Sequence, residues 1–177
     1  MEDNIKVVLR SRPLNRRETQ ANCTSMVRVS EAEHSILLDC KPEAKQFTFD
    51  HVVGEESTQE SVFRAVGVPL TESCLEGFNG TIIAYGQTGS GKTHTLFGAA
   101  GTAATADDER GLVPRVFEYL WQKMAVAEAS ADTDQAPEYS CKCSFYEIYN
   151  ERVYDLLHSV NKENNSLVSR CWIKNRC

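Results

Sequence analysis

The eight residues Gly86-Gln87-Thr88-Gly89-Ser90-Gly91-Lys92-Thr93 confine this chain more tightly than any other feature, because a loop of that composition works between a strand and a helix. Glycines let the backbone turn sharply and aim successive N–H groups at phosphate oxygens, and the helix that follows adds the positive end of its dipole. The apolar run Thr81-Ile82-Ile83-Ala84-Tyr85 supplies the strand, Asn79-Gly80 a turn before it, and Lys92-Thr93-His94-Thr95-Leu96 the helix start. In such a P-loop Lys92 reaches the β- and γ-phosphates of a nucleotide and Thr93 offers its hydroxyl to Mg²⁺.

Composition narrows the class further. The chain has 177 residues, 41% of them hydrophobic, which is about one domain with material for a core. Nineteen basic against 25 acidic residues give a formal charge of −6, so a sequence-independent nucleic-acid binder, which needs a basic face, is not expected. No apolar stretch is long enough to span a bilayer, and Met1-Glu2-Asp3-Asn4 is too acidic for a secretory start, so no membrane role is expected. The 7 cysteines form no C-x-x-C pair and cannot all close within one chain, which reads as reduced thiols in a cytoplasmic protein.

Periodicity organises the rest. Ile5–Leu9 reads as a strand ended by Ser11-Arg12-Pro13-Leu14-Asn15, since Pro13 cannot donate to a ladder. Strands over Met26–Val29, Ser35–Leu38 and Gln46–Val52 fit a small antiparallel lobe. Ser57-Thr58-Gln59-Glu60 is a capping-box pattern opening a helix over about 58–77, and Pro69 predicts a kink near Val68. Gly98–Glu109 reads as a mobile surface loop. Pro114 then fits a helix first turn, with Val116, Phe117, Leu120, Trp121 and Met124 on the buried face. Ala129–Pro137 is a polar connection, Tyr139–Tyr149 has strand composition, Val153–Leu157 reads as a short helical turn, and 158–177 as a divergent, disordered tail.

Several of these segments resemble a kinesin motor domain, in its N-terminal half only. They are Ile5-Lys6-Val7 with Arg10-Ser11-Arg12-Pro13, Phe47-Thr48-Phe49-Asp50, Gly77-Phe78-Asn79-Gly80-Thr81 running into Ala84-Tyr85 and the P-loop, Gly111-Leu112-Val113-Pro114-Arg115, and Phe145-Tyr146-Glu147-Ile148-Tyr149-Asn150-Glu151 with Tyr154-Asp155-Leu156-Leu157. The likeness runs from about 4 to 157, so 1–157 is expected to be the N-terminal portion of a kinesin-type motor domain. Phe49-Asp50-His51-Val52, Thr58-Gln59-Glu60-Ser61-Val62-Phe63 and Cys141-Lys142-Cys143-Ser144-Phe145 look closest to the twelfth, spindle-associated subfamily.

The resemblance implies an α/β fold, the three-layer α/β/α P-loop NTPase architecture with a central mixed sheet, incomplete because later strands are absent. It implies ATP and Mg as ligands, microtubules as the partner of a full-length parent, and a cytoplasmic, cytoskeletal place at the mitotic spindle. It also implies that Arg10, Arg12 and Pro13 border the adenine with His94 stacking near it. The physics agrees, because a guanidinium plane and a proline ring both offer flat faces to a base.

The family's Asn-x-x-Ser-Ser-Arg-Ser-His and Asp-Leu-Ala-Gly stretches, which hold Mg²⁺ and sense the γ-phosphate, do not occur among the 177 residues, so no catalytic residue is expected within this chain. Asp108 in Asp108-Glu109-Arg110-Gly111 lacks an apolar strand before it, and Asp39 precedes the P-loop, so neither is expected to touch the metal. Without partner strands for 81–85 the chain is expected to be unstable alone, and at −6 to bind acidic microtubules weakly or not at all. The alternatives are a small nucleotide kinase, for which no lid is evident, and a non-catalytic interaction protein keeping a relic nucleotide site.

Overall fold

A computed structural model describes residues 5–99, 107–130 and 139–157, together with the backbone of 171–173. It divides into two units, Met1–Lys123 and Met124–Cys177. The first unit holds the P-loop.

Strand β1, Val8–Arg10, begins later than the apolar run that predicts it. Asn15 then caps a short helix, α1, Arg16–Gln20, through a capping box in which its side chain accepts from Arg17 and Glu18 amides and Glu18 accepts in return from the Asn15 amide. The antiparallel lobe follows as β2 (Val27–Ser30), β3 (Ser35–Leu38) and β4 (Lys45–Thr48), in that spatial order.

The alternating run 46–52 serves two sheets rather than one. The Phe49 amide donates to the His34 carbonyl at 2.9 Å, closing the lobe, and the Asp50 carboxylate accepts from the Val7 amide at 2.7 Å. That contact turns the chain into β5, His51–Val53, which runs parallel to β1 with Leu9 opposite Val52. Val52 is fully buried.

The predicted long helix is present in three parts: α2 (Gln59–Val62), a wide π turn (Phe63–Gly67) and α3 (Val68–Leu75). Its cap is Thr58 rather than Ser57, with the Thr58 hydroxyl accepting from the Ser61 amide at 3.1 Å. The irregularity lies just before the predicted kink. Pro69 has no N–H and its ring would crowd the Ala65 carbonyl in an unbroken α-helix, and the π turn widens the backbone over those residues. Gly77, at φ 98°, ends the helix.

The P-loop leads into α4, Lys92–Phe97, and a single 3₁₀ turn, Asp107–Glu109, precedes α5, Leu112–Ser130. Val53, Val62, Phe63 and Leu112 form the buried centre, with Val66, Val68, Leu96, Val116 and Tyr119 packed around it. The α5 face therefore differs from its predicted stripe. Phe117 is 40% exposed, and Tyr119 instead meets Phe63 edge-on at 5.8 Å while its hydroxyl donates to Glu72 at 2.7 Å.

Residues 81–85 do not form the predicted strand. No described segment lies alongside to supply rungs, and Ile83 and Tyr85 are 83% and 98% exposed. A cavity of about 430 Å³ lies among Val8, Val66, Leu70, Ile82 and Ala84. Among the described residues β1 and β5 pair only with each other, an α/β arrangement consistent with the incomplete architecture expected.

In the second unit, β6 (Cys141–Cys143) pairs antiparallel with β9 (Cys171–Ile173), and β7 (Tyr146–Tyr149) with β8 (Arg152–Asp155). The predicted strand over 139–149 thus breaks at Ser144-Phe145. The predicted helical turn at 153–157 is instead strand as far as Asp155, because Asn150 and Glu151 both take left-handed φ values of 49° and 61° and make a two-residue hairpin that sets Val153 against Ile148. Most of the predicted loop at 98–109, connection at 129–137 and tail at 158–177 lie outside the described residues. Within the last, the backbone of β9 is an element the composition did not reveal.

Candidate nucleotide site

The P-loop is a tight turn built on its glycines. Gly89 and Gly91 stand at φ 81° and 99°, the left-handed region that a Cβ disfavours, and Gly91 is the residue from which α4 starts. Between them the Ser90 amide donates to the Gln87 carbonyl at 3.1 Å. Gln87 and Thr88 form the exposed tip of the loop, and Gly86 and Ser90 are half-buried at its base.

Lys92, the first residue of α4, folds its amine back over this loop, donating to the carbonyls of Gly86 at 2.7 Å and Gln87 at 2.9 Å. A cation is thereby fixed inside the curve of the backbone. No side chain caps the first turn of α4, and Thr93 is exposed on that turn. Amide dipoles, one ammonium folded over the loop and one hydroxyl on the turn that follows it are the donor types that a polyphosphate fits.

A cleft of about 390 Å³ adjoins the loop, with Arg10, Arg12, Pro13, Gln59, His94 and Glu109 among its walls. Every sequence-predicted site residue belongs to this unit. Arg12 donates through Nε to the Gly89 carbonyl at 2.9 Å and through both terminal nitrogens to Glu18, at 2.8 and 2.7 Å. Donating to Glu18 raises Arg12 above its ordinary basicity. Arg12, first, and then the Asn15 amide hold the Glu18 carboxyl down at about 2. Arg10 donates to Gln59 Oε1 at 2.9 Å and Thr95 Oγ1 at 3.1 Å, and burial lowers its pKa.

Three participants escape the sequence reading. Glu18 belongs to the Asn15-x-x-Glu18 capping box, a legible signal hidden by the reading of 11–15 as a strand end. Gln59 is 4% exposed and lies on the inward face with Val62, Phe63 and Val66, at i+3, i+4 and i+7, so helical spacing marks it as a buried polar group. Glu109 brings Oε2 to 3.8 Å from His94 Nε2, and no sequence pattern announces that. Asp108 lines the cleft rim, while Asp39 pairs with Arg28 at 2.7 Å, remote in role from the loop.

Comparison with known proteins decides the family. The family model for the kinesin motor domain matches residues 10–172. The chain belongs to the kinesin motor family. Kinesin-like protein KIN-12F of Oryza sativa subsp. japonica is 44% identical over 158 residues, covering 89% of this chain and 6% of its own length. Kinesin-like protein KIF15 of Homo sapiens is 44% identical over 164 residues, covering 90% of this chain and 11% of its own. These relatives support the likeness to the twelfth kinesin subfamily.

A solved structure of a fast kinesin superposes with a TM-score of 0.73 at 36% identity, over 86% of this chain and 40% of that one. The kinesin segment seen here thus spans about a tenth or less of the curated relatives it matches, and under half of the solved motor chain.

The donor set also bears on the implied Mg²⁺. Among the described residues no group of three His, Cys, Asp or Glu side chains could hold a metal by itself. Mg²⁺ is commonly held through substrate phosphates with few protein ligands, and an exposed hydroxyl beside a phosphate cradle fits that mode. No described helix is long and apolar enough to cross a membrane.

Proposed function

We propose that this chain is the ATP-binding N-terminal portion of a microtubule motor. Its P-loop, Gly86–Thr93, takes the triphosphate on backbone amides. Lys92 exchanges its carbonyl partners for the β- and γ-phosphates. Thr93 would offer its hydroxyl to Mg²⁺, which when bound would offset phosphate charge. The adenine lies beside Arg10, Arg12 and Pro13, with His94 stacking near it.

The observation that supports this reading most is the Lys92 amine held 2.7 and 2.9 Å from two carbonyls of its own loop. A lysine so placed needs only a rotamer change to meet an anion seated in the curve. No observation favours the small-kinase or relic-site alternatives.

Movement along microtubules, and a place on the cytoskeleton at the spindle within the cytoplasm, belong to the whole motor and are inferred from kinship. None of the 177 residues is assigned a catalytic role, and the net charge of −6 opposes tight microtubule or nucleic-acid binding by this stretch alone.

Equilibrium titration of the full chain with fluorescent ATP and Mg²⁺ tests the site. Lys92→Ala removes charge-assisted bonds of about 1.5–3 kcal/mol, so affinity should fall roughly 10- to 100-fold. Unchanged affinity would refute the assignment, and multiple-turnover phosphate release by the chain would refute the absence of catalytic groups.

A further inference from the structure

Gln59 is buried, and each polar atom of its side chain meets a different part of the nucleotide cleft. Oε1 accepts from Arg10 Nη1 at 2.9 Å, on β1. Nε2 donates to the His94 carbonyl at 2.8 Å and stands 3.3 Å from His94 Nδ1, on α4. The orientation of the amide has only one solution. A guanidinium has no acceptor, so the oxygen must face Arg10, and the NH₂ group is thereby directed at His94.

That direction has a consequence for the imidazole. With a donor facing it, Nδ1 is an acceptor, and the neutral ring carries its hydrogen on Nε2, the nitrogen turned toward Glu109 Oε2 at 3.8 Å. Arg10 is fixed at the same time, because its other contact, Thr95 Oγ1 at 3.1 Å, also belongs to α4. One amide, 4% exposed, thus joins the arginine on one wall of the cleft to the histidine on the other. With its own amide buried and fully satisfied, Gln59 favours one arrangement of the part-buried Arg10 and the half-exposed His94 ring.

We propose that Gln59 is the positioning residue of the base end of this cleft. It orients Arg10 and selects the His94 tautomer, and so tunes how firmly the nucleotide base, as distinct from its phosphates, is held. The proposal rests on the reading of the cleft as an ATP site. The hydrogen bonds of the Gln59 side chain go to Arg10 and His94 and none to residues 86–93, so its removal should leave the phosphate cradle intact.

The test uses the full chain with ¹⁵N-labelled histidine and two variants. Gln59→Glu replaces the donor facing Nδ1 by an acceptor, and Gln59→Met keeps the volume without hydrogen bonds. In the parent, ¹⁵N shifts should show His94 Nδ1 unprotonated. In Gln59→Glu the hydrogen should move to Nδ1. Both variants should bind ATP about tenfold more weakly while inorganic tripolyphosphate binds within about twofold of the parent, because each releases or reverses the His94 ring at the base end, and Gln59→Met also frees Arg10.

An unmoved His94 tautomer in Gln59→Glu, or equal weakening of ATP and tripolyphosphate, would overturn the proposal, the second result marking Gln59 as merely structural. Failure of the parent to bind either ligand would instead sink the ATP reading, and the histidine shifts would still decide whether the amide sets the ring. Should Gln59→Met not fold, Gln59→Glu carries both measurements.

Discussion

Arg12 grips Glu18 with two parallel hydrogen bonds of 2.7 and 2.8 Å while its Nε donates to the carbonyl of Gly89, so the stretch Arg12–Glu18 is pinned to the phosphate loop. The pair is solvent-accessible, and its value lies in direction rather than strength. Because the folded Glu18 value, about 2, lies below the ordinary 4.5, the link contributes above the ordinary value and is lost as pH falls from 4.5 through 2. A carboxyl-detected NMR titration should place Glu18 near 2 in the parent, and Arg12→Ala should return it toward the ordinary glutamate range. A midpoint that ignores Arg12→Ala would rule the pair out.

Gly91 offers a backbone test. Its φ of 99° launches α4, and a side chain there costs about 1–2 kcal/mol by Cβ–carbonyl conflict. Gly91→Ala should therefore weaken Mg-ATP binding roughly 5- to 30-fold if the chain distorts to relieve the strain. Calorimetric titration measures this directly.

The revised face of α5 makes two neighbouring aromatics unequal. Phe63→Ala, at an 8% exposed residue, should cost about 3–5 kcal/mol through lost packing on Leu112, Val116 and Tyr119. Phe117→Ala, 40% exposed, should stay near 0.5 kcal/mol. Urea unfolding of the two variants in parallel distinguishes the observed face from the one that helical counting predicts.

Residues 81–85 should exchange amide hydrogens at rates near those of an unstructured peptide, and the chain should associate as its concentration rises. Hydrogen-exchange mass spectrometry and sedimentation read both. Protection at Ile82–Ala84 in a monomeric sample would show that the run has found a pairing partner.

The P-loop, the antiparallel lobe, the interrupted helix and the α5 helix were legible because each depends on local spacing: glycines at a turn, alternation, a proline at a known offset. What stayed hidden depends on a partner elsewhere in the chain. The run 46–52 alternates throughout, yet the Asp50 carboxylate caught by the Val7 amide divides it between two sheets. Val153–Leu157 has helical spacing on paper, but a hairpin turn at Asn150-Glu151 commits it to pairing with β7. In the site, the loop itself was readable, whereas Gln59 announced only burial, and its two partners come from 49 and 35 residues away.

The wide turn at Phe63–Gly67 changes how distance along this helix should be counted. A π turn holds about one residue more than the α-helical span it replaces, so side chains on either side of it fall out of step with an unbroken 3.6-residue spiral. Gln59 and Leu70, eleven residues apart, would lie within about 20° of one another on an unbroken helix, so the surplus residue between them turns Leu70 and the rest of α3 relative to Gln59. A deletion of one position inside 63–67 would be absorbed where it occurs, while the same deletion one turn later would rotate everything up to Leu75 away from its neighbours.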